Sequence, residues 1–255
     1  MPNPRCTLEV LLPVHNEAKS IESTIRETDE VLSRRVAPRF IVCEDGSVDE
    51  TRQVLLRLSR TFPMKLVTGD QRKGYSRAMI DGMKAFEAEY LLCLDSDGQC
   101  DPKDFEKFWE VRDQQDVAIG RRVRRIDSLL RRTLSRGFYF VYQLCYRVPV
   151  HDPSCPFVLA NRRVIVSLLP ELGEMNQGFW WEFIARVHRR GFSLREITIN
   201  HRSRSAGETH VYQLNRLAAI GYQHSLALLK VWFQTRKQAR RPPDWRSQFP
   251  PEAGG

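Results

Sequence analysis

The sequence predicts an α/β sandwich around a mainly parallel sheet, and three observations carry that expectation. Short apolar runs recur at Thr7–Val14, Phe40–Asp45, Lys65–Gly69, Tyr90–Ser96 and Val117–Gly120. They are apolar on both faces, as strands covered by helices on each side must be. Helix-length segments separate them, at Glu17–Arg35, Val48–Arg60, Tyr75–Ala88 and Pro102–Gln114, and repeated strand–helix alternation gives parallel sheets. With 42% apolar residues and only 14 glycines and 14 prolines in 255 residues, the chain can build a substantial core.

Local signals mark the elements in turn. Ser47-Val48-Asp49-Glu50 has the spacing of a capping box ahead of "TRQVLLRL". Tyr75, Ala78, Met79, Gly82, Ala85 and Phe86 fall at helical spacing, and the small Ala78 and Gly82 permit close packing on a sheet. Asp101-Pro102 sets an N-cap residue before a proline at the first helical position. After Gly120 the pattern changes to an arginine-rich stretch over 121–136, then "GFYFVYQLCY". A strand at Phe157–Asn161, helices at Arg163–Leu169 and Phe179–Arg190, and a strand at Leu194–Asn200 follow. This second half is expected to extend the first sheet and close a cleft over it. Val211–Arg236 reads as a long amphipathic helix, and the Pro- and Gly-rich 237–255 as a disordered tail.

The chain is basic, with net charge +9, which favours an anionic partner: nucleic acid, phosphorylated substrate or acidic membrane surface. No pair of the six cysteines has C-x-x-C spacing, and buried free thiols in a reducing compartment are expected. No signal pattern or bilayer-length apolar run is seen, so the expected location is cytoplasmic, with peripheral contact on an anionic membrane face and no transmembrane span. No P-loop, G-x-G-x-x-G, H-x-x-x-H pair or nucleophile elbow occurs. No nucleic-acid module is recognised, and acidic loops would repel phosphate unless a metal were bound.

Ligands of parallel α/β sheets sit beyond the carboxyl ends of the strands. There the first run ends in Pro13-Val14-His15-Asn16-Glu17, the second in Glu44-Asp45-Gly46-Ser47-Val48-Asp49, and the fourth in Asp95-Ser96-Asp97-Gly98-Gln99. Alternate positions of an extended segment point the same way, so Asp95, Asp97 and Gln99 can face one hard cation, Mg²⁺ or Mn²⁺. Arg121, Arg122 and Arg136 are candidates for phosphate, with Arg122, just past a strand end, the better placed. A polar turn is the plain alternative for each loop; three acidic endings at one sheet edge favour a shared site.

Taken in order, "LLPVHNE", "VCEDGSVDET" and "KGYSRAMIDGMKAFEAEYLLCLDSDGQ" resemble the family 2 nucleotide-sugar glycosyltransferases, which have the GT-A fold. Within that family, "AIGRR", "VHDPSCPFVLANRR" and "EITINHRSRSAGETH" look most like the dolichol- or polyprenyl-phosphate hexose transferases. The resemblance covers Leu8 to about His210. Glu44 stands where the first aspartate is usual, Pro156 where glycine is, and Thr209-His210 where Ser-Lys is.

The resemblance implies a GT-A, Rossmann-like domain over 1–236: a nucleotide-sugar half at about 7–120, an acceptor half at 121–210 and a C-terminal amphipathic helix at 211–236. It implies that Pro13, His15, Glu17, Glu44 and Asp45 hold the nucleoside, with Lys73, Gly74 and Ser96 in the donor site. Asp95, Asp97 and Gln99 would hold Mg²⁺ or Mn²⁺ on the diphosphate. Arg122 and Arg136 would meet the diphosphate or acceptor phosphate, with Arg204, Thr209 and His210 at the acceptor phosphate. Glu182 falls where the family has an acid near the sugar or acceptor, and Asp152 marks a motif that suits a structural hydrogen bond. The expected activity is metal-dependent, inverting transfer of a hexose from a UDP- or GDP-sugar to a polyprenyl phosphate. The alternatives are a soluble sugar or glycan hydroxyl as acceptor, a basic nucleic-acid-binding protein, and a silent nucleotide-binding relative. One face of the last helix, Leu214, Leu217, Ala218, Gly221, Leu228, Val231 and Trp232, suits either an anionic bilayer interface or core packing.

Overall fold

The structure, a computed structural model, describes residues 7–122, 129–176, 178–202 and 214–236, without the side chains of 129–136 and 214–222. The described strands are β1 (Leu8–Val14), β2 (Arg39–Asp45), β3 (Met64–Gly69), β4 (Tyr90–Cys93), β5 (Val117–Arg122), β6 (Val158–Asn161) and β7 (Leu194–Ile199). They form one sheet in the order β3-β2-β1-β4-β6-β5-β7. All pairings are parallel except those of β6, which lies antiparallel between β4 and β5. The two halves of the chain therefore meet within the sheet, at β4 and β6.

The helices are α1 (Ile21–Leu32), α2 (Thr51–Leu58), α3 (Tyr75–Lys84), α4 (Phe105–Trp109), α5 (Leu129–Tyr146), α6 (Arg162–Leu168), α7 (Phe179–Arg189) and α8 (Leu214–Arg236). Every residue of β1 and β4 is buried, whereas the edge strands β3 and β7 are partly exposed. That difference follows from helices covering the centre of the sheet. Gly82 lets α3 sit directly on β1 and β2: a Cβ there would fall 2.2 Å from Leu11 Cδ1 and 2.8 Å from Cys43 Sγ.

Three helix boundaries differ from the sequence expectation because tertiary hydrogen bonds claim the chain first. The backbone N–H groups of Glu17 and Ala18 donate to Thr51 Oγ1 and Asp49 Oδ2, and α1 starts only at Ile21. No capping box closes α2: Ser47 Oγ accepts from Asn16 N, and Asp49 accepts from the Thr51 N–H at the helix start. The segment after Asp101 begins as the expected capped turn, Asp101 accepting from Lys103 N, but it is a 3-10 turn followed by the short α4.

In the second half, α5, α7 and α8 pack together. The Tyr142 hydroxyl donates to Trp181 O, the Tyr146 hydroxyl to Leu228 O, and Arg186 Nη2 to Gln234 Oε1 at 2.7 Å. Leu228 and Val231 are buried and Trp232 is partly buried. The described part of that face, Leu228, Val231 and Trp232, therefore packs in the core, one of the two readings the sequence left open. The exposed apolar residues of α8 lie on its other side, at Leu226, Leu229 and Phe233. α5 repeats the arrangement, with Tyr142 and Tyr146 buried and Phe140, Val141 and Leu144 exposed.

Candidate active site

The carboxyl ends of β1, β2 and β4 converge, and hydrogen bonds lace their loops together. Asn16 adopts a left-handed φ of 55°, which lets its Oδ1 accept from Val48 N while its own N–H donates to Ser47 Oγ. His15 Nδ1 donates to Asp45 O at 2.9 Å, leaving Nε2 to accept from the Asn16 amide. Thr24 Oγ1 donates to Ser96 O, tying α1 to the loop after β4.

Asp45 and Glu44 serve different partners. Asp45 is buried and its two oxygens accept from the N–H groups of Lys73 and Gly74, at 2.7 and 2.8 Å. It thus shapes the loop that leads into α3, and that loop lies against Gly46. A Cβ on Gly46 would fall 2.5 Å from Arg72 N, and its φ of +64° independently favours glycine. Glu44, also buried, pairs with Arg52 through Oε2 and accepts from Ser47 N through Oε1. Both its oxygens are engaged within the protein, and Arg52 also donates to Gly69 O. The Lys73 ammonium is paired with Asp81 at 3.0 Å.

Beyond β4, Asp95 and Asp97 are half-buried. The Tyr75 hydroxyl donates to Asp95 Oδ1 at 3.0 Å and accepts from Trp180 Nε1 at 2.8 Å. Tyr75 is 37% exposed, but shielding of its hydroxyl between Trp180 and Asp95, with the Asp95 charge, pushes the phenol well above its ordinary pKa, so it remains a donor. Asp97 Oδ1 accepts from Gln99 N. The Gln99 amide nitrogen donates to Arg202 O at 3.4 Å, and Arg202 is held by Glu27 and Asp101.

Among the described residues, no group of three or more His, Cys, Asp or Glu side chains is arranged to hold a metal. Two carboxylates and an amide oxygen nevertheless match a Mg²⁺- or Mn²⁺-type ion, which binds one or two carboxylates and completes its shell with substrate phosphate and water.

The geometry changes how two predicted residues act. Arg122 forks onto Asp152, Nε to Oδ2 at 2.7 Å and Nη2 to Oδ1 at 2.9 Å, and also donates to Ser154 Oγ. Burial alone would lower its pKa; the Asp152 hydrogen bonds and charge outweigh that and raise it. The fork that would grip a phosphate is thus occupied by Asp152, whose structural role is as expected. Glu182 is fully buried. Its Oε1 pairs with Arg186 at 2.9 Å and its Oε2 accepts from the N–H groups of Gly173 and Met175. Pro13 is within β1 and Glu17 accepts from its neighbour Ser20 Oγ. Arg136 lies in α5 but its side chain is outside the description, and Arg204, Thr209 and His210 lie outside the described residues.

Sequence reasoning missed Tyr75, Trp180, Arg52 and Arg202. Tyr75 follows Lys73-Gly74 directly, which was the available signal; Trp180 joins only through the fold.

The glycosyl transferase family 2 model matches residues 9–169, more than half of the chain. The chain belongs to that family. The family 2 relatives include glycosyltransferase AglD of Haloferax volcanii, 30% identical over 91% of this chain and 38% of the relative. A dolichyl-phosphate beta-glucosyltransferase of Dictyostelium discoideum is 25% identical over 76% of this chain and 65% of the relative. A dolichol-phosphate mannosyltransferase of Pyrococcus furiosus is 25% identical over 62% and 47%. The chain thus spans between about two fifths and two thirds of these relatives' length. Among solved structures, glucosyl-3-phosphoglycerate synthase from Mycobacterium tuberculosis in complex with uridine diphosphate aligns with a TM-score of 0.67 at 19% identity, covering 90% of this chain and 81% of that one. This likeness bears out the GT-A fold expected of the family.

Proposed function

We propose that this family 2 chain transfers a hexose from a UDP- or GDP-sugar to a polyprenyl phosphate, with inversion and with Mg²⁺ or Mn²⁺. The observation that carries the proposal is the pair Asp95 and Asp97 just past β4, beside the laced ends of β1 and β2, with Asp95 held by Tyr75, whose hydroxyl accepts from Trp180. Residues of about 7–120 form the donor half in this reading, and 121–210 the acceptor half.

Asp95, Asp97 and Gln99 would hold the cation, which when bound offsets the charge of a departing diphosphate. The loops around His15, Glu17, Asp45, Lys73 and Gly74 form the cradle for the nucleoside. Glu44 acts by fixing Ser47 and Arg52. Arg122 keeps a positive charge at the end of β5, in the electrostatic reach of Asp95. An acceptor phosphate is already anionic and needs no base: its oxygen bonds to the anomeric carbon as the bond to the diphosphate oxygen breaks. Glu182, enclosed by Arg186 and two backbone donors, positions the 173–175 turn.

The polyprenyl phosphate acceptor is supported by the relatives named for dolichyl phosphate. Among the described residues no helix is long and apolar enough to cross a membrane. The exposed stripes of α5 and α8 are the surface proposed to meet an anionic bilayer.

The test is a panel of UDP- and GDP-sugars with Mg²⁺ or Mn²⁺ and a short polyprenyl phosphate. Transfer to that acceptor is expected, falling about a hundred-fold or more in Asp97→Asn with an unchanged melting curve. Wild-type turnover by Asp97→Asn removes the metal site; transfer only to soluble hydroxyl acceptors removes the lipid acceptor.

A further inference from the structure

At the far end of α7 from Trp180, an open cavity of about 580 Å³ lies where α5 and α7 end against α8. From Trp180 to Arg189 along the helix is about 14 Å. The cavity's lining includes Arg147, His188 and Arg189, with Tyr146 and Trp232, and contains no carboxylate among the described residues.

Helix carboxyl ends attract cations, and this accounts for part of the arrangement. Arg189 Nη2 donates to Cys145 O, and its guanidinium lies 5.7 Å from the centre of the Tyr146 ring. The neighbouring Arg186 and Arg190 are each neutralised, by Glu182 and Glu171. Arg147, which is exposed, and Arg189, which is half-buried, have no carboxylate partner among the described residues; Arg189 Nε, like Arg190 Nε, is buried without a hydrogen-bond partner. The rim is apolar. Leu144 lines the cavity and is 65% exposed, Phe140 and Val141 on the same helix are exposed, and Phe233 follows Trp232.

Two guanidiniums without a carboxylate partner among the described residues, beside exposed apolar side chains of α5, match one ligand chemistry, an anionic head on a hydrocarbon chain. The head supplies a countercharge, and the chain covers Leu144 and its neighbours. We propose that this cavity binds the phosphate head of an amphiphile at a site separate from the sugar-nucleotide site. The source is either a lipid head group in a bilayer or a free alkyl phosphate. The proposal does not depend on the transfer reaction.

The experiment is calorimetric titration of the full chain with decyl phosphate below its micelle concentration, with decanol and inorganic phosphate as separate probes. Decyl phosphate is expected to bind at least roughly ten-fold tighter than either. Two variants test the site. Arg147 has a φ of 52°, which asparagine tolerates, so Arg147→Asn removes charge without moving the backbone. Leu144→Asp changes an exposed rim residue. Each is expected to weaken decyl phosphate roughly ten-fold with an unchanged melting curve.

If the acceptor-phosphate reading also holds, the wild type titrates with two sites and the variants lose one. A titration that the variants leave unchanged, or decyl phosphate no tighter than decanol, overturns the proposal. Co-sedimentation with vesicles of phosphatidylcholine alone, or of equal parts phosphatidylcholine and phosphatidylglycerol, separates the sources. Loss in the variants on the anionic vesicles assigns the head group to the bilayer. Unchanged vesicle binding beside weakened decyl phosphate binding assigns it to a free amphiphile.

Discussion

Tyr75 is the residue on which the proposed metal site turns. Its hydroxyl orients Asp95 and accepts from Trp180, so a carboxylate on the loop after β4 is fixed by a side chain of α3 that is itself anchored by one from α7. Tyr75→Phe keeps the ring and deletes that link. Groups that orient metal ligands typically influence affinity ten- to a hundred-fold. Mn²⁺ affinity read by electron paramagnetic resonance, in the presence of nucleoside diphosphate, should weaken about ten-fold. Unaltered Mn²⁺ affinity would show that Asp95 is held without Tyr75. The two aspartates were legible in the sequence because they follow the apolar run "YLLCL" directly, although β4 ends at Cys93 and they lie in the turn after it rather than on an extended segment. The Trp180 contact was not, because 105 residues separate the partners and only the packing of α7 across the strand ends brings them together. The same holds for Arg52: nothing in "TRQVLLRL" shows that its guanidinium neutralises Glu44.

At the level of elements, the sequence read packing better than boundaries. The small residues of α3 were expected against the sheet, and Gly82 has that role, with no room for a Cβ beside Leu11 and Cys43. Gly82→Val should cost about 1–3 kcal/mol through overpacking, measured by urea unfolding; a neutral result would mean that α3 can shift outward without loss. Helix starts were less legible because the groups that stop α1, Thr51 and Asp49, come from a different loop. The apolar face of α8 illustrates a further limit. Amphipathicity identifies two kinds of surface but not which neighbour covers which, and α8 has apolar residues on both sides. Its inner side is joined to α7 through Arg186, which is 1% exposed and contacts Glu182, Glu171 and Gln234. Arg186→Leu leaves Glu182 buried without its countercharge and should destabilise the protein by about 3–5 kcal/mol. Adding Glu182→Gln should recover part of that loss in the same urea assay; failure to recover it would make lost packing, not the charge, the cause.

For the whole molecule, the joining of β4 to β6 makes a prediction about cooperativity with a chemical handle. Cys43 on β2 and Cys155 just before β6 are buried on either side of that junction. Burial pushes both thiols up from 9.0 to about 12; the Asp81 and Asp45 charges add to the effect at Cys43, while at Cys155 burial outweighs the opposing Arg122 charge. An acid whose pKa is raised in the folded state favours folding fully only below its unfolded value. Between pH 9 and about 12 the unfolded chain releases these protons while the folded chain retains them. Stability should therefore fall as pH rises through that window, by up to about 1.4 kcal/mol per pH unit for each thiol. Cys93 and Cys100, also buried and also shifted upward, steepen the slope. Urea midpoints followed from pH 8 to 11 should decline in the wild type and decline less in Cys43→Ser/Cys155→Ser. Equal slopes would exclude Cys43 and Cys155 as contributors to the decline. Because one sheet spans both halves, tyrosine and tryptophan signals from α5 and α7 should be lost in the same transition as the helical signal. Two separated transitions would mean that β6 joins the sheet without binding the halves into one folding unit.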